Sequence, residues 1–228
     1  WEKARKAFRS PSETKPAIVS TVTLHAFMLL DRQLPEQALE ILAEAHSLDV
    51  SHPNLGLLRA CALEQLGDAS SLRKAIGQIE ACLSQGGKIF SNDMLPGATT
   101  WASWNLMGVV RLRQGRFPES VAAFDAALRH HSPKPISHVG RSLGLTGAGR
   151  PHDALAAIEG HLRAQQADGW IGATIACLGL KNFDDARTFL NRADRAGRAS
   201  LSYLDEIRRR AWAHLDAQTW LESLIEGD

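Results

Sequence analysis

The chain is poor in cysteine, in net charge and in aromatic residues, and each shortage narrows what it can be. Cys61, Cys82 and Cys177 are its only cysteines among 228 residues. No two form the C-x-x-C pair of zinc and redox motifs. Each falls at an apolar place in a helical pattern, so all three read as buried small hydrophobes, as in a reducing compartment. The formal charge of +1 gives no global pull toward nucleic acid or anionic lipid. Basic residues gather at Lys3, Arg5, Lys6 and Arg9, and again at Arg192, Arg195, Arg198 and Arg208 to Arg210. Aromatics are 6% of the chain and do not interleave with these groups, so no platform for stacking bases is expected. No apolar run approaches the roughly 20 residues that span a bilayer. Among the most apolar windows is GWIGATIACLGL, residues 169–180, which is too short.

Catalytic motifs are missing as well. No G-x-S-x-G, H-E-x-x-H, P-loop or G-x-G-x-x-G occurs. The nine histidines are scattered. The densest, His130, His131 and His138, lie in HHSPKPISH, where a helix ends in a proline-rich turn with no Cys or carboxylate beside them. No catalytic residue, cofactor or metal site is expected, and no enzyme activity. The chain starts at Trp1 without a signal-peptide pattern and reads as a piece of a longer protein.

What is present is helix-forming sequence at 44% apolar and 22% charged residues, an ordinary balance for a folded chain. Residues 1–15 hold a short helical stretch, Trp1 to Phe8, and a Ser/Pro/Thr-rich loop. The stretch is either the end of a preceding second helix or a frayed terminus. From Pro16 onward, helical apolar spacing recurs in pairs. A helix from Pro16 to Asp31 is followed by one from Pro35. Asn54 caps a helix to Leu66, and after a short insertion, ASS, its partner runs from Leu72 to Leu83. An irregular loop of turn-forming residues fills 84–100. Further pairs follow across Gly115, Gly149 and Lys181. Residues 198–228 read as a C-terminal capping helix or helix pair, with Arg208 to Arg210, Asp216 and Glu222 forming a polar outer face. A small residue opens each second helix, at Ala38, Ala75, Ser120, Ala154 and Ala186. The spacings are 37, 45, 34 and 32 residues, the 45 containing the loop.

The clearest unit is WNLMGVVRLRQGRFPESVAAFDAALRHHSP, Trp104 to Pro133. It has Trp104, Met107 and Gly108, a turn at Gly115-Arg116, then Phe117, Ser120, Phe124, Ala127 and a proline stop. This resembles a tetratricopeptide repeat, with Met107 for the usual Leu, Arg111 for Tyr and Ser120 for Ala. The resemblance covers about Pro16 to Gly197 and implies an all-α, right-handed superhelical solenoid of about five helix pairs.

The family's first helices line a concave groove. Carried onto this chain, that surface comprises Thr23, Phe27 and Leu30; Leu57, Cys61 and Glu64; Asn105, Val109 and Leu112; Val139 and Leu143; and Ile171, Ile175 and Leu178. The resemblance implies a non-enzymatic protein–protein interaction scaffold in the cytoplasm, holding a partner peptide or amphipathic helix in that apolar groove. The helix could come from a partner, another copy in a homo-oligomer, or the chain's own C-terminal segment. Some relatives capture acidic chaperone tails through Lys, Asn and Arg. Here Asn105 and Arg113 stand without the rest of that set, so such a tail is not expected. Two other classes stand beside the scaffold: a regulatory or substrate-recruiting arm of a larger enzyme, and an RNA-binding helical repeat. Membrane attachment is not expected. The competing structural expectation is that tight winding buries the groove residues, which burial of Phe27, Val109, Leu143 and Ile175 would show.

Overall fold

The computed structural model describes residues 11–47, 52–86, 95, 97–130, 135–163, 167–197 and 202–217. Among them the secondary structure is all α-helical, without a strand. The helices are α1 (Pro11–Asp31), α2 (Pro35–Ser47), α3 (Pro53–Leu66), α4 (Ala69–Leu83), α5 (Trp101–Arg113), α6 (Phe117–Leu128), α7 (Pro135–Gly147), α8 (Pro151–Arg163), α9 (Ala167–Gly179), α10 (Phe183–Ala196) and α11 (Ser202–Ala217). The chain forms two compact units, Trp1–Leu106 and Met107–Asp228. Their boundary falls inside α5.

Five tight turns join first helices to second helices, and all use one device. Gln33, Gly67, Gly115, Gly149 and Lys181 each take a positive φ of 60 to 76°. The residue after four of them donates its N–H to the carbonyl five positions back. These are Leu34 to Leu29, Arg116 to Arg111, Arg150 to Leu145 and Asn182 to Cys177, at 2.8–3.0 Å. Such a closure satisfies carbonyls that a helix end otherwise leaves unpaired. Gly67 makes the simpler closure, its own N–H reaching the Leu63 carbonyl.

Counting from the turn residue shows why the hairpins close. Seven residues before it stand Ala26, Ala60, Gly108, Ser142 and Thr174, all buried. Five after it, or eight in α4, stand Ala38, Ala75, Ser120, Ala154 and Ala186, each fully buried. Small residues at both places let two helix backbones approach. The approach is direct between α5 and α6, where the Ser120 hydroxyl donates to the Gly108 carbonyl at 2.9 Å. Phe124 lies one turn further along α6. A Cβ on Gly108 or Gly140 would come within 2.6 or 2.2 Å of its ring.

In the first unit α1 packs on α2 and α3, and α3 on α2 and α4. The core is Val22, Ala26, Leu29 and Leu30 with Leu42, Leu55 and Leu58. Leu57, Cys82 and Ala98 form a second cluster, against which Leu95 and Leu106 pack. In the second unit α7 packs on α6, α8 and α9, while α9 packs on α8, α10 and α11. Phe124, Leu143, Ile175 and Leu190 share one core with Leu204, Ile207, Ala211 and Leu215 of α11.

Several sequence expectations shift. α1 begins at Pro11, so residues 11–15 are helical and only the stretch up to residue 10 lies outside the described residues. Proline is tolerated in a first helical turn, which makes Pro11 a helix start here. α4 begins at Ala69, not Leu72. Asp68 caps it, its carboxylate accepting from the Ser70 and Ser71 N–H groups, and ASS becomes an extra turn. His52, not Asn54, caps α3, its Nδ1 accepting from the Asn54 N–H at 3.2 Å. Arg208 does not serve an outer face alone. It pairs with Asp205 at 2.6 Å and with Asp194 of α10 at 3.6 Å. Asp216 and Glu222 lie outside the residues whose side chains are described.

Gln33 and Lys181 hold a conformation that costs an L-residue about 1–2 kcal/mol. Replacing either by glycine should raise stability by about 0.5–1 kcal/mol, measured by urea unfolding. Gln33→Gly also gives up the hydrogen bond from its amide to the Leu30 carbonyl at 3.5 Å.

Candidate interaction surface

The residues expected to line the groove occupy three matching rows, ten, six and three positions before the turn residue. In the second unit Val109, Leu112, Val139, Leu143, Ile171 and Ile175 are all buried members of the core. They present no open groove, because neighbouring helices of the same unit cover them. In the first unit Leu30, Leu57, Glu64 and Asn105 are also buried. Phe27 is the exception, at 52% exposed. The expectation of one continuous open apolar groove therefore gives way to buried rows with a single exposed member.

The same rows carry polar atoms without protein partners. The Thr23 hydroxyl and both side-chain atoms of Asn105 are buried and make no hydrogen bond. A buried amide in that state costs about 1–3 kcal/mol. Both lie ten residues before their turns, on α1 and α5, and both belong to the first unit.

Exposed apolar bulk lies elsewhere, on α1. Leu24 is 52% and Met28 46% exposed. These positions lie nine and five residues before the turn, where α3, α7 and α9 carry Leu58 and Ala62, Gly140 and Gly144, and Gly172 and Ala176, all buried. The preceding second helix covers that row in the second unit. Phe124 and Val121 of α6 lie on Gly140 and Gly144, and Ile158 of α8 lies on Gly172. On α1 no described element covers it. The signal was available beforehand, since Ala17 to Leu30 contains no Asp, Glu, Lys or Arg. A surface helix is normally charged on its outer side.

The three thiols are held protonated. Burial, helped by the negative charge of Glu64, pushes Cys61 from 9.0 up to about 12. Burial likewise raises Cys82 and Cys177 to about 11. The Cys82 thiol lies 3.6 Å from the Pro53 carbonyl oxygen. Among the described residues no group of three or more His, Cys, Asp or Glu could hold a metal ion. None of the described helices is long and apolar enough to cross a membrane. His131 lies outside the described residues.

Aromatic and cationic side chains meet on α9 and α10. The Trp170 and Phe189 rings stack at 5.6 Å, with the Arg192 guanidinium 5.1 Å above Trp170. This couples the two helices. Compared with known proteins, the chain matches no protein-family model and no curated protein sequence.

Three outcomes follow. Asn105→Leu, close in volume and free of unpaired polar atoms, should raise stability by about 1–2 kcal/mol, read by urea unfolding. The thiols set a pH dependence. A folded-state pKa above the unfolded value means that their contribution is intact below pH 9.0 and is lost as pH rises toward about 12. Stability should therefore fall across that interval. At pH 8 the native protein should react far more slowly with iodoacetamide than the urea-unfolded chain does, measured by mass.

Proposed function

We propose that the chain is a tetratricopeptide-like solenoid acting as a non-enzymatic scaffold for protein–protein interaction. The carrying observation is the common register of five hairpins, with the same left-handed turn and the same small-residue crossing in each. Arrays of such units present extended surfaces to partners. The partner fitting this surface is a peptide or amphipathic helix, docking by apolar side chains. Its contact region centres on Phe27, the exposed member of the first-helix rows, beside buried Thr23 and Leu30. The deeper residues Val109, Leu143 and Ile175 hold the second unit together, and their role is structural.

Two substitutions separate these roles. Phe27→Asp, at an exposed site, should keep the circular dichroism spectrum and the unfolding midpoint. It should also lose proteins that co-purify with the wild-type chain. Leu143→Asp would bury an unpaired carboxylate and should cost about 3–5 kcal/mol, enough to unfold its unit. The scaffold reading fails if wild-type protein retains nothing above background. It fails equally if everything retained disappears on ribonuclease treatment, which would favour RNA.

A further inference from the structure

We propose that Leu95 is a ligand the first unit supplies to itself, held where an apolar side chain of a partner peptide would anchor, so that a partner binds by displacing it. The inference rests on the scaffold reading for its partner and adds a self-blocking contact to it.

Leu95 stands outside the repeat. The step from Ala75 to Ser120 is 45 residues, against 32 to 37 elsewhere. Leu95 lies in the excess, between the end of α4 at Leu83 and the start of α5 at Trp101. It is only half-buried, yet it packs on both apolar clusters of the first unit. One is the core of α1, α2 and α3, and the other is the smaller group of Leu57, Cys82 and Ala98. Cys61 packs on the same two clusters. Leu57 and Cys61 belong to the rows ten and six positions before the turn residue Gly67. In the second unit those rows are covered by helices of the array. Here a side chain from an insertion joins the cover.

The chain after Leu95 is tied to α5. The Ala98 N–H donates to the Leu95 carbonyl at 3.1 Å, and the Thr100 and Ala102 N–H groups donate to that of Gly97 at 2.9 and 3.0 Å. Gly97 takes a φ of 86°, which favours glycine, and a Cβ on it would run into the Trp101 indole. Ala98 is buried, and the Ser103 hydroxyl donates to its carbonyl.

What Leu95 leaves unpaired points to a peptide as the natural occupant. The row ten before the turn reads Thr23, Leu57 and Asn105 across α1, α3 and α5. The Thr23 hydroxyl and both polar side-chain atoms of Asn105 are buried without a hydrogen-bond partner. An apolar place in one row with an unpaired hydroxyl and an unpaired amide suits a segment that brings a leucine-like side chain together with backbone N–H and C=O groups. Leu95 brings the side chain alone. A partner that also pairs the polar atoms gains what Leu95 does not, and a ligand that gains more in one state shifts the population to it.

The test uses the full chain and, as probe, a fluorescein-labelled synthetic peptide of residues 84–100. Leu95→Ser in the chain frees the place. The peptide should bind that variant at least about tenfold more tightly than wild type, whose own Leu95 competes at intramolecular concentration. A peptide with the same Leu95→Ser change should bind neither chain. Iodoacetamide gives a second reading. In the Leu95→Ser chain Cys61 should label about tenfold faster than in wild type while Cys82 keeps its rate, and bound peptide should slow Cys61 again. A peptide that does not distinguish variant from wild-type chain overturns the proposal. So does equal binding of the two peptides. A joint rise in labelling at Cys61 and Cys82 overturns it too, since Leu95 is then ordinary packing of the unit. No cellular partner enters these assays, so their failure leaves the scaffold reading standing, and that reading fails by co-purification alone.

Discussion

Two helices come no closer than the side chains between them allow, and this limit organises both units. The Ser120 hydroxyl reaches the Gly108 backbone only because neither residue holds the helices apart. Once they are that close, Phe124 has nowhere to go except onto Gly108 and Gly140. In this way one aromatic ring closes its own hairpin and receives the next helix. Where the first helix offers Gly144 or Gly172, the facing helix supplies Val121 or Ile158. Where it offers Leu58, the facing α2 is lined by Ala38, Leu42 and Ala45.

How much of this could be read beforehand depends on what spacing encodes. The small residues opening each second helix were legible because a buried crossing tolerates few substitutes, so Ala38, Ala75, Ser120, Ala154 and Ala186 mark the phase. The rows of Val109, Leu143 and Ile175 were also legible as a shared face. Whether that face is open was not, since spacing orders residues around one helix and is silent about its neighbours. The starts of α1 and α4 were missed for a related reason. Pro11, Asp68 and the serines beside them favour both loops and helix N-termini, and composition alone does not choose. The outer stripe of α1 was written plainly as fourteen residues without charge, from Ala17 to Leu30.

Several residues sit against what local stability alone would choose. Asn105 and Thr23 keep unpaired polar atoms inside the first unit, where apolar residues would pack without penalty. Gln33 and Lys181 sit where glycine would be easier. α1 leaves leucine, phenylalanine and methionine in water. The second unit has its own case in Ser142, whose buried hydroxyl has no hydrogen-bond partner. Departures of this sort tend to gather where a protein meets something else.

The distribution of the thiols makes each unit report on its own opening. Cys61 and Cys82 belong to the first unit and Cys177 to the second. Cys82 and Cys177 are buried, one in each unit, so a reagent finds either when its unit breathes. Labelling rates at Cys177 and at Cys82 are thus independent clocks for two local unfolding events. A chain without engineered probes already distinguishes a molecule that opens as one body from one that opens in halves.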